Sequence, residues 1–297
     1  MSKKVLIIGK GKMGSVLGKF MAGSSLRPTV IYWDMAKGKV PNQQALEVSA
    51  PQADAVFLCV PSFAVREVAE TIALFLRRGV PVITIAKGME AATGKTMDVV
   101  LKESLSRAQP YGLLSGPMLV EELRRDKGGL AMLAVNDEKS FLLLKKLFAE
   151  APLHLEFTTA LRAVAMAGVM KNIYSIVLGV AEGLGWGNNR KGWIVAEAMV
   201  EMVALFEAWK LPKEIALGTA GLGDLIATGL SSSSRNEQVG EKLTVLQKGQ
   251  SEGTESLPVI RKLARGINPR RLPLLNALWQ VVKKKQTARQ AFERFLK

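Results

Sequence analysis

Two stretches of the chain combine residue types that could carry out a reaction. The first is Gly9-Lys10-Gly11-Lys12-Met13-Gly14, three glycines spaced G-x-G-x-x-G directly after the apolar run Val5 to Ile8. Glycines at that spacing allow a tight turn, bring backbone close to a diphosphate and let the next helix pack closely, with its N-terminus facing the anion. The same spacing occurs in purely structural turns. Here, however, a second apolar run, Thr29 to Trp33, ends on Asp34, where a carboxylate accepts hydrogen bonds from a ribose 2′-hydroxyl. A dinucleotide is the expected ligand. Asp34 favours NAD by repelling a 2′-phosphate, whereas Lys37 and Lys39 can neutralise that preference, so NAD and NADP both stay open.

The second stretch is apolar. Between Ala163 and Ala181 the single charged residue is Lys171, with Asn172 beside it and Gly168 about one turn earlier. Such a lysine either snorkels its stem to the surface or is desolvated, and desolvation lowers a lysine pKa toward the range useful for proton transfer. An enzyme that delivers hydride to a carbonyl needs an acid of this kind beside the oxygen. Asp224, in Gly221-Leu222-Gly223-Asp224-Leu225, can pair with a buried cation or simply cap a helix. Ser231 to Ser234 followed by Arg235 and Asn236 offers hydroxyls, a guanidinium fork and an amide, a set suited to a phosphate dianion, or else a flexible serine linker. Lys87-Gly88 follows the apolar run Val82 to Ala86, at the strand end where doubly wound folds bind ligands. His154 is the only histidine, Cys59 lies inside an apolar run, and acidic residues show no paired metal-ligand spacing, so a metal-free oxidoreductase is expected.

These residues need a scaffold, and 297 residues with 48% apolar and 23% charged side chains suffice for two folded domains. Strand-like runs at Ala55 to Val60, Val80 to Ala86 and Leu130 to Val135 alternate with helical patterns at Ser15 to Ala22, Ala64 to Phe75 and Thr96 to Leu105. That alternation predicts an α/β fold: a Rossmann-like, parallel, doubly wound sheet in residues 1–155, followed by an all-helical domain in residues 156–297. Ala163 to Ala181 is long enough to span a bilayer, but Lys171 at its middle would cost about 3 kcal/mol there, so a buried helix is expected. A single cysteine and an N-terminal apolar run too short for a secretory signal fit a reducing cytoplasm. The 41 basic and 26 acidic residues leave a net charge of +15, and residues 261–297 hold eleven basic residues against Glu293 alone. Without interleaved aromatics this reads as a solvated basic surface, with no dedicated nucleic-acid site; an anionic small molecule is the expected partner.

In combination and in order, several blocks resemble the NAD(P)-dependent glycerol-3-phosphate dehydrogenases: the glycine loop, Asp54 to Ser62, Ala86 to Glu90, Ser115-Gly116-Pro117, Gly168 to Asn172, Glu182 to Asn188, Gly221 to Leu225, Ser234 to Asn236 and Glu252-Gly253. The resemblance implies reversible hydride transfer between nicotinamide and the C2 carbon linking dihydroxyacetone phosphate with sn-glycerol 3-phosphate, for phospholipid synthesis, by a cytoplasmic homodimer. It implies Lys171 as general acid and base, held with the substrate by Asp224 and Asn172. Ser234, Arg235 and Asn236 would bind the substrate phosphate, with Lys87, Gly116 and Thr228 completing the substrate site. Gly9, Gly11, Lys12, Met13, Gly14, Asp34, Lys87, Val120, Arg235 and Glu252 would line the cofactor. The chain departs from the family in a shortened segment between Asp34 and Asp54, in Met13 where an aromatic is common, in Met118 where a small hydroxyl residue would stand beside the substrate, and in the charges of Lys10 and Lys12. A related reductase of the ketopantoate type and a catalytically impaired cofactor sensor are the alternative readings.

Overall fold

The computed structural model describes residues 2–229, 231 and 234–293. Contacts divide the chain into two units, one of Met1–Glu90 and Lys95–Ala165, the other of Ala91–Gly94 and Met166–Lys297.

The first unit is built on seven strands: β1 (Lys4–Ile8), β2 (Thr29–Trp33), β3 (Ala55–Leu58), β4 (Val82–Thr84), β5 (Tyr111–Ser115), β6 (Leu130–Val135) and β7 (His154–Thr158), in the spatial order β2-β1-β3-β4-β5-β6-β7. Helices α1 (Lys12–Ala22), α2 (Leu46–Ser49), α3 (Val65–Ala73), α4 (Met97–Ser104), α5 (Val120–Arg124) and α6 (Glu138–Leu147) connect them. Val5 to Ile8 are wholly buried, as a central parallel strand covered on both faces requires, which is why this strand reads as an unbroken apolar run. β1 pairs in parallel with β2 on one side (Ile8 opposite Trp33) and with β3 on the other (Ile8 opposite Leu58). The chain direction of the windings reverses between β1 and β3, so their carboxyl ends open the crevice where such sheets bind ligands.

The sheet corrects the expectation of an all-parallel ladder, because β5 and β6 pair antiparallel, with Leu113 opposite Ala134. β5 is legible only in three dimensions. Its Gly112 weakens any strand signal, yet a Cβ there would lie 2.3 Å from the Ala134 carbonyl oxygen, so the close strand approach demands it. β7 is the sheet's edge strand, and a boundary after residue 155 would cut through it; contacts instead divide the chain after Ala165. The core gathers Val5, Ile7, Leu17, Phe57, Ile83, Leu114 and Leu133, with Phe57 and Phe148 edge to face at 5.9 Å.

The second unit is helical: α7 (Leu161–Gly183, beginning in the first unit), α8 (Asn188–Ala208), α9 (Lys213–Leu217), α10 (Asp224–Gly229), α11 (Arg235–Thr244), α12 (Glu252–Leu263), α13 (Pro273–Val282) and α14 (Ala288–Glu293). α7 is long and apolar enough to cross a membrane, but its whole apolar window is buried within the protein, the signature of a core helix. α11 lies directly against it: a Cβ at Gly179 would fall 1.9 Å from the Glu237 carbonyl oxygen, and one at Gly240 2.1 Å from that of Ile176. Of the serine run, Ser232 and Ser233 lie outside the described residues, as do Arg294 and Lys297 of the basic C-terminal region.

Candidate active site

The glycine loop sits at the carboxyl end of β1. Gly9 has φ +100°, a conformation that disfavours any Cβ, and a Cβ there would also meet the Cys59 carbonyl oxygen at 2.4 Å. A Cβ at Gly14 would meet the Gly9 carbonyl oxygen at 2.1 Å, so two of the three glycines let the turn fold on itself and on β3. Gly11 differs: it is the N-cap of α1, no side chain caps that helix end, and nothing lies within 4 Å of where its Cβ would be. Backbone N–H groups at a helix start with open space before them suit a diphosphate, so the loop fits the cofactor it was expected to hold.

Asp34 closes this cradle. Its Oδ2 accepts from the backbone N–H of Lys10 at 2.8 Å and pairs with the Lys39 ammonium at 2.8 Å, and its Oδ1 accepts from the Ala36 N–H at 3.0 Å. Burial pushes this carboxyl upward, but the hydrogen bonds from Lys39, Ala36 and Lys10 outweigh it and hold the group below the usual aspartate range. Met13 and Val120 both pack on the core of this unit, and Lys12, exposed, reaches Glu121 at 3.2 Å. Lys87 and Gly116 meet directly, the ammonium donating to the Gly116 carbonyl at 3.0 Å, and Gly116 at φ +142° turns the chain out of β5. Met118 is buried with the core of this unit. Sequence reading also missed Arg66, whose guanidinium clamps Glu90 through two bonds of 2.6 and 3.0 Å and thereby fixes the segment carrying Lys87.

In the second unit Lys171 is 7% exposed, and it does not snorkel. Its Nζ lies 3.3 Å from Asp224 Oδ1 and donates to Thr228 Oγ1 at 3.0 Å; that hydroxyl in turn donates to Asp224 at 3.4 Å. Asp224 and Thr228 share one face of α10 because they are four residues apart, and the π-helical turn Thr219–Gly223 aims that helix start at α7. Beside the lysine, Asn172 Oδ1 accepts from Asn236 Nδ2 at 3.0 Å and Asn172 Nδ2 donates to Glu252 Oε2 at 3.3 Å. Gly253 allows this: a Cβ would come 2.7 Å from the Asn172 carbonyl oxygen. Ser234 is the N-cap of α11, accepting from the Glu237 N–H at 3.3 Å, so its oxygen serves the helix; Arg235, next along, is exposed. One further buried group went unread. Glu201 is fully buried, accepts from the Tyr174 hydroxyl at 2.8 Å and from the N–H groups of Leu274 and Leu275, and burial lifts its carboxyl to about 8 against those bonds. Its signal in the sequence is weak, because Glu197 and Glu207 on the same helix make Glu201 one acid among three.

Family profiles match both parts of the chain, the NAD-dependent glycerol-3-phosphate dehydrogenase N-terminus over residues 36–141 and its C-terminus over residues 161–293. A glycerol-3-phosphate dehydrogenase [NAD(P)+] of Sphingopyxis alaskensis is 33% identical over 259 residues, covering 82% of this chain and 76% of that protein. Among solved structures, the glycerol-3-phosphate dehydrogenase of Coxiella burnetii shares the fold at TM-score 0.85 with 22% identity, over 100% of this chain and 99% of that one. A ketopantoate reductase of Ralstonia eutropha reaches only 0.58 with 16% identity, over 95% and 99% of the two chains, so the ketopantoate-type alternative is the poorer match. With matched profiles over more than half its length and a relative above 30% identity, the chain belongs to the NAD-dependent glycerol-3-phosphate dehydrogenase family and is an NAD(P)-dependent oxidoreductase.

Proposed function

We propose that this protein interconverts dihydroxyacetone phosphate and sn-glycerol 3-phosphate, with Lys171 as the proton donor and acceptor at the C2 oxygen. The observation that carries this reading is a buried ammonium held between Asp224 and Thr228 beside the Asn236, Asn172 and Glu252 chain. Bound NAD(P)H supplies the hydride to the carbonyl carbon. Lys171 gives its proton to the oxygen as negative charge develops there, and solvent returns a proton to the amine; glycerol 3-phosphate oxidation runs the same steps backward. Asp224 keeps the ammonium oriented and repays part of its desolvation. Asn172 and Asn236 position the substrate, and the exposed Arg235 fork takes the phosphate. Within the first unit the Lys87 ammonium donates to the Gly116 carbonyl.

The protein is further read as a cytoplasmic homodimer, which the family resemblance suggests. Light scattering would then report about twice the chain mass of 32.2 kDa. The central test follows NADH and NADPH absorbance with dihydroxyacetone phosphate and unphosphorylated dihydroxyacetone in parallel. Oxidation that needs both the phosphate and Lys171 is expected. No oxidation by folded protein that binds cofactor, or full turnover after Lys171→Ala, overturns the assignment.

A further inference from the structure

We propose that the segment after β2 makes this chain prefer the 2′-phosphorylated cofactor, NADP(H), with Lys39 and Lys37 as the residues that decide it. The inference rests on the cofactor reading of the glycine loop and deepens it.

A tight turn follows β2. Ala36-Lys37-Gly38-Lys39 is closed by the Lys39 N–H donating to the Ala36 carbonyl at 3.3 Å, and Gly38 at φ +81° occupies the third position, which in a type II turn requires positive φ. The turn returns Lys39, six residues beyond the end of β2, to Asp34. The Asp34 backbone N–H donates to Gln43 Oε1 at 2.8 Å, stitching the rest of the segment onto the same point.

The consequence falls on Asp34. A carboxylate offers about four acceptor positions, and three are already used, by the Lys10 N–H, the Ala36 N–H and the Lys39 ammonium; the side chain is 10% exposed. Two of those donors are backbone, one of them within the glycine loop, so Asp34 acts as a brace for that loop. The one position left is on Oδ1 of a side chain that is 10% exposed, so a ribose 2′-hydroxyl finds little of this carboxylate to recognise. A 2′-phosphate needs no acceptor. It needs cations, and the segment provides them: Lys39 is 42% exposed at its side chain, Lys37 is exposed on the same turn, and Lys10 stands over the Tyr32 ring at 5.3 Å. Between Asp34 and Glu47 the sequence contains no acid. With Asp34 paired, the repulsion that would exclude a phosphate dianion is cancelled and the remaining local charge is positive.

The test is equilibrium binding to the purified full chain, titrated with 2′-phospho-ADP-ribose and with ADP-ribose, which lack the nicotinamide and so report the adenosine end without turnover. The phosphorylated probe is expected to bind at least about tenfold more tightly, with the advantage shrinking as salt rises. Lys39→Ala is expected to narrow the ratio about fivefold or more, weakening the phosphorylated probe and leaving ADP-ribose equal or tighter as Asp34 is uncovered. Lys37→Ala should weaken the phosphorylated probe alone. Both lysines are exposed, and an unchanged melting temperature verifies folding. Equal or tighter binding of ADP-ribose by the wild type overturns the proposal while leaving the dinucleotide reading intact, as does a Lys39→Ala loss shared equally by both probes. Failure of both probes to bind overturns the proposal and the dinucleotide reading together.

Discussion

Around Gly9 the chain works with backbone, and around Lys171 it works with side chains. In the first unit the candidate recognition elements are a helix start, a left-handed glycine and N–H groups, with Asp34 bracing the loop. In the second, six polar side chains from α7, α10, α11 and α12 converge: Lys171, Asn172, Asp224, Thr228, Asn236 and Glu252. The difference follows from the task. A diphosphate is the same in every nucleotide and can be read by peptide groups, whereas moving a proton requires one titratable group in one environment, which only a side chain supplies. It also makes the two regions fail differently. Backbone recognition is destroyed by adding atoms, side-chain chemistry by removing them.

The largest expected effect breaks the comparison at the lysine. Lys171→Met should lower kcat by about a thousandfold, within the range for a general acid, while NADPH affinity measured by fluorescence changes less than about twofold. A large affinity loss would mean the two regions are not separable. The converse variant, Gly9→Ala, adds one methyl group where φ is +100° and a carbonyl oxygen stands 2.4 Å away. It should weaken nucleotide binding by more than about tenfold and lower stability by about 1–3 kcal/mol, read by titration and thermal melting. Arg235→Ala removes a charge-assisted phosphate contact, so KM for dihydroxyacetone phosphate should rise about tenfold or more, with the slow rate on unphosphorylated dihydroxyacetone unchanged. A rise shared by both substrates would remove Arg235 from the phosphate site.

The smallest effect concerns the support behind α7. Glu201 is raised in the folded state to about 8 from an ordinary value of 4.5, so the folded protein binds more protons than the unfolded chain between those limits. Its contribution is therefore fully present below about pH 4.5 and is lost as pH rises toward 8, with a slope of at most about 1.4 kcal/mol per pH unit. Glu201→Gln should flatten the decline of melting temperature across that window. An unchanged slope would show that Glu201 titrates normally.

Much of this was legible in one dimension because local rules govern it. An unbroken apolar run meant a doubly covered strand, G-x-G-x-x-G between a strand and a helix meant a phosphate cradle, and a lone lysine in apolar surroundings meant a desolvated ammonium. β5 was not legible, since its glycine answers to a neighbouring carbonyl that is far away in sequence. Nor was the edge strand β7, whose half-exposed residues carry little pattern at the point where the texture turns helical.

The same division runs through the site. Residue types along the chain singled out Lys171 as a candidate, because it is the one charge in a long apolar stretch, and the order of the motifs added Asp224 and Asn172 as candidates beside it. Only the tertiary structure decided their partners: that Thr228 joins Asp224 on the ammonium, that Asn172 bridges Asn236 and Glu252, and that Met118 belongs to the core. It also decided that Asp34 serves the glycine loop and Lys39. A hydrogen bond depends on angles and distances between groups brought together by chain packing, and those are properties of the folded arrangement that residue identity alone does not contain.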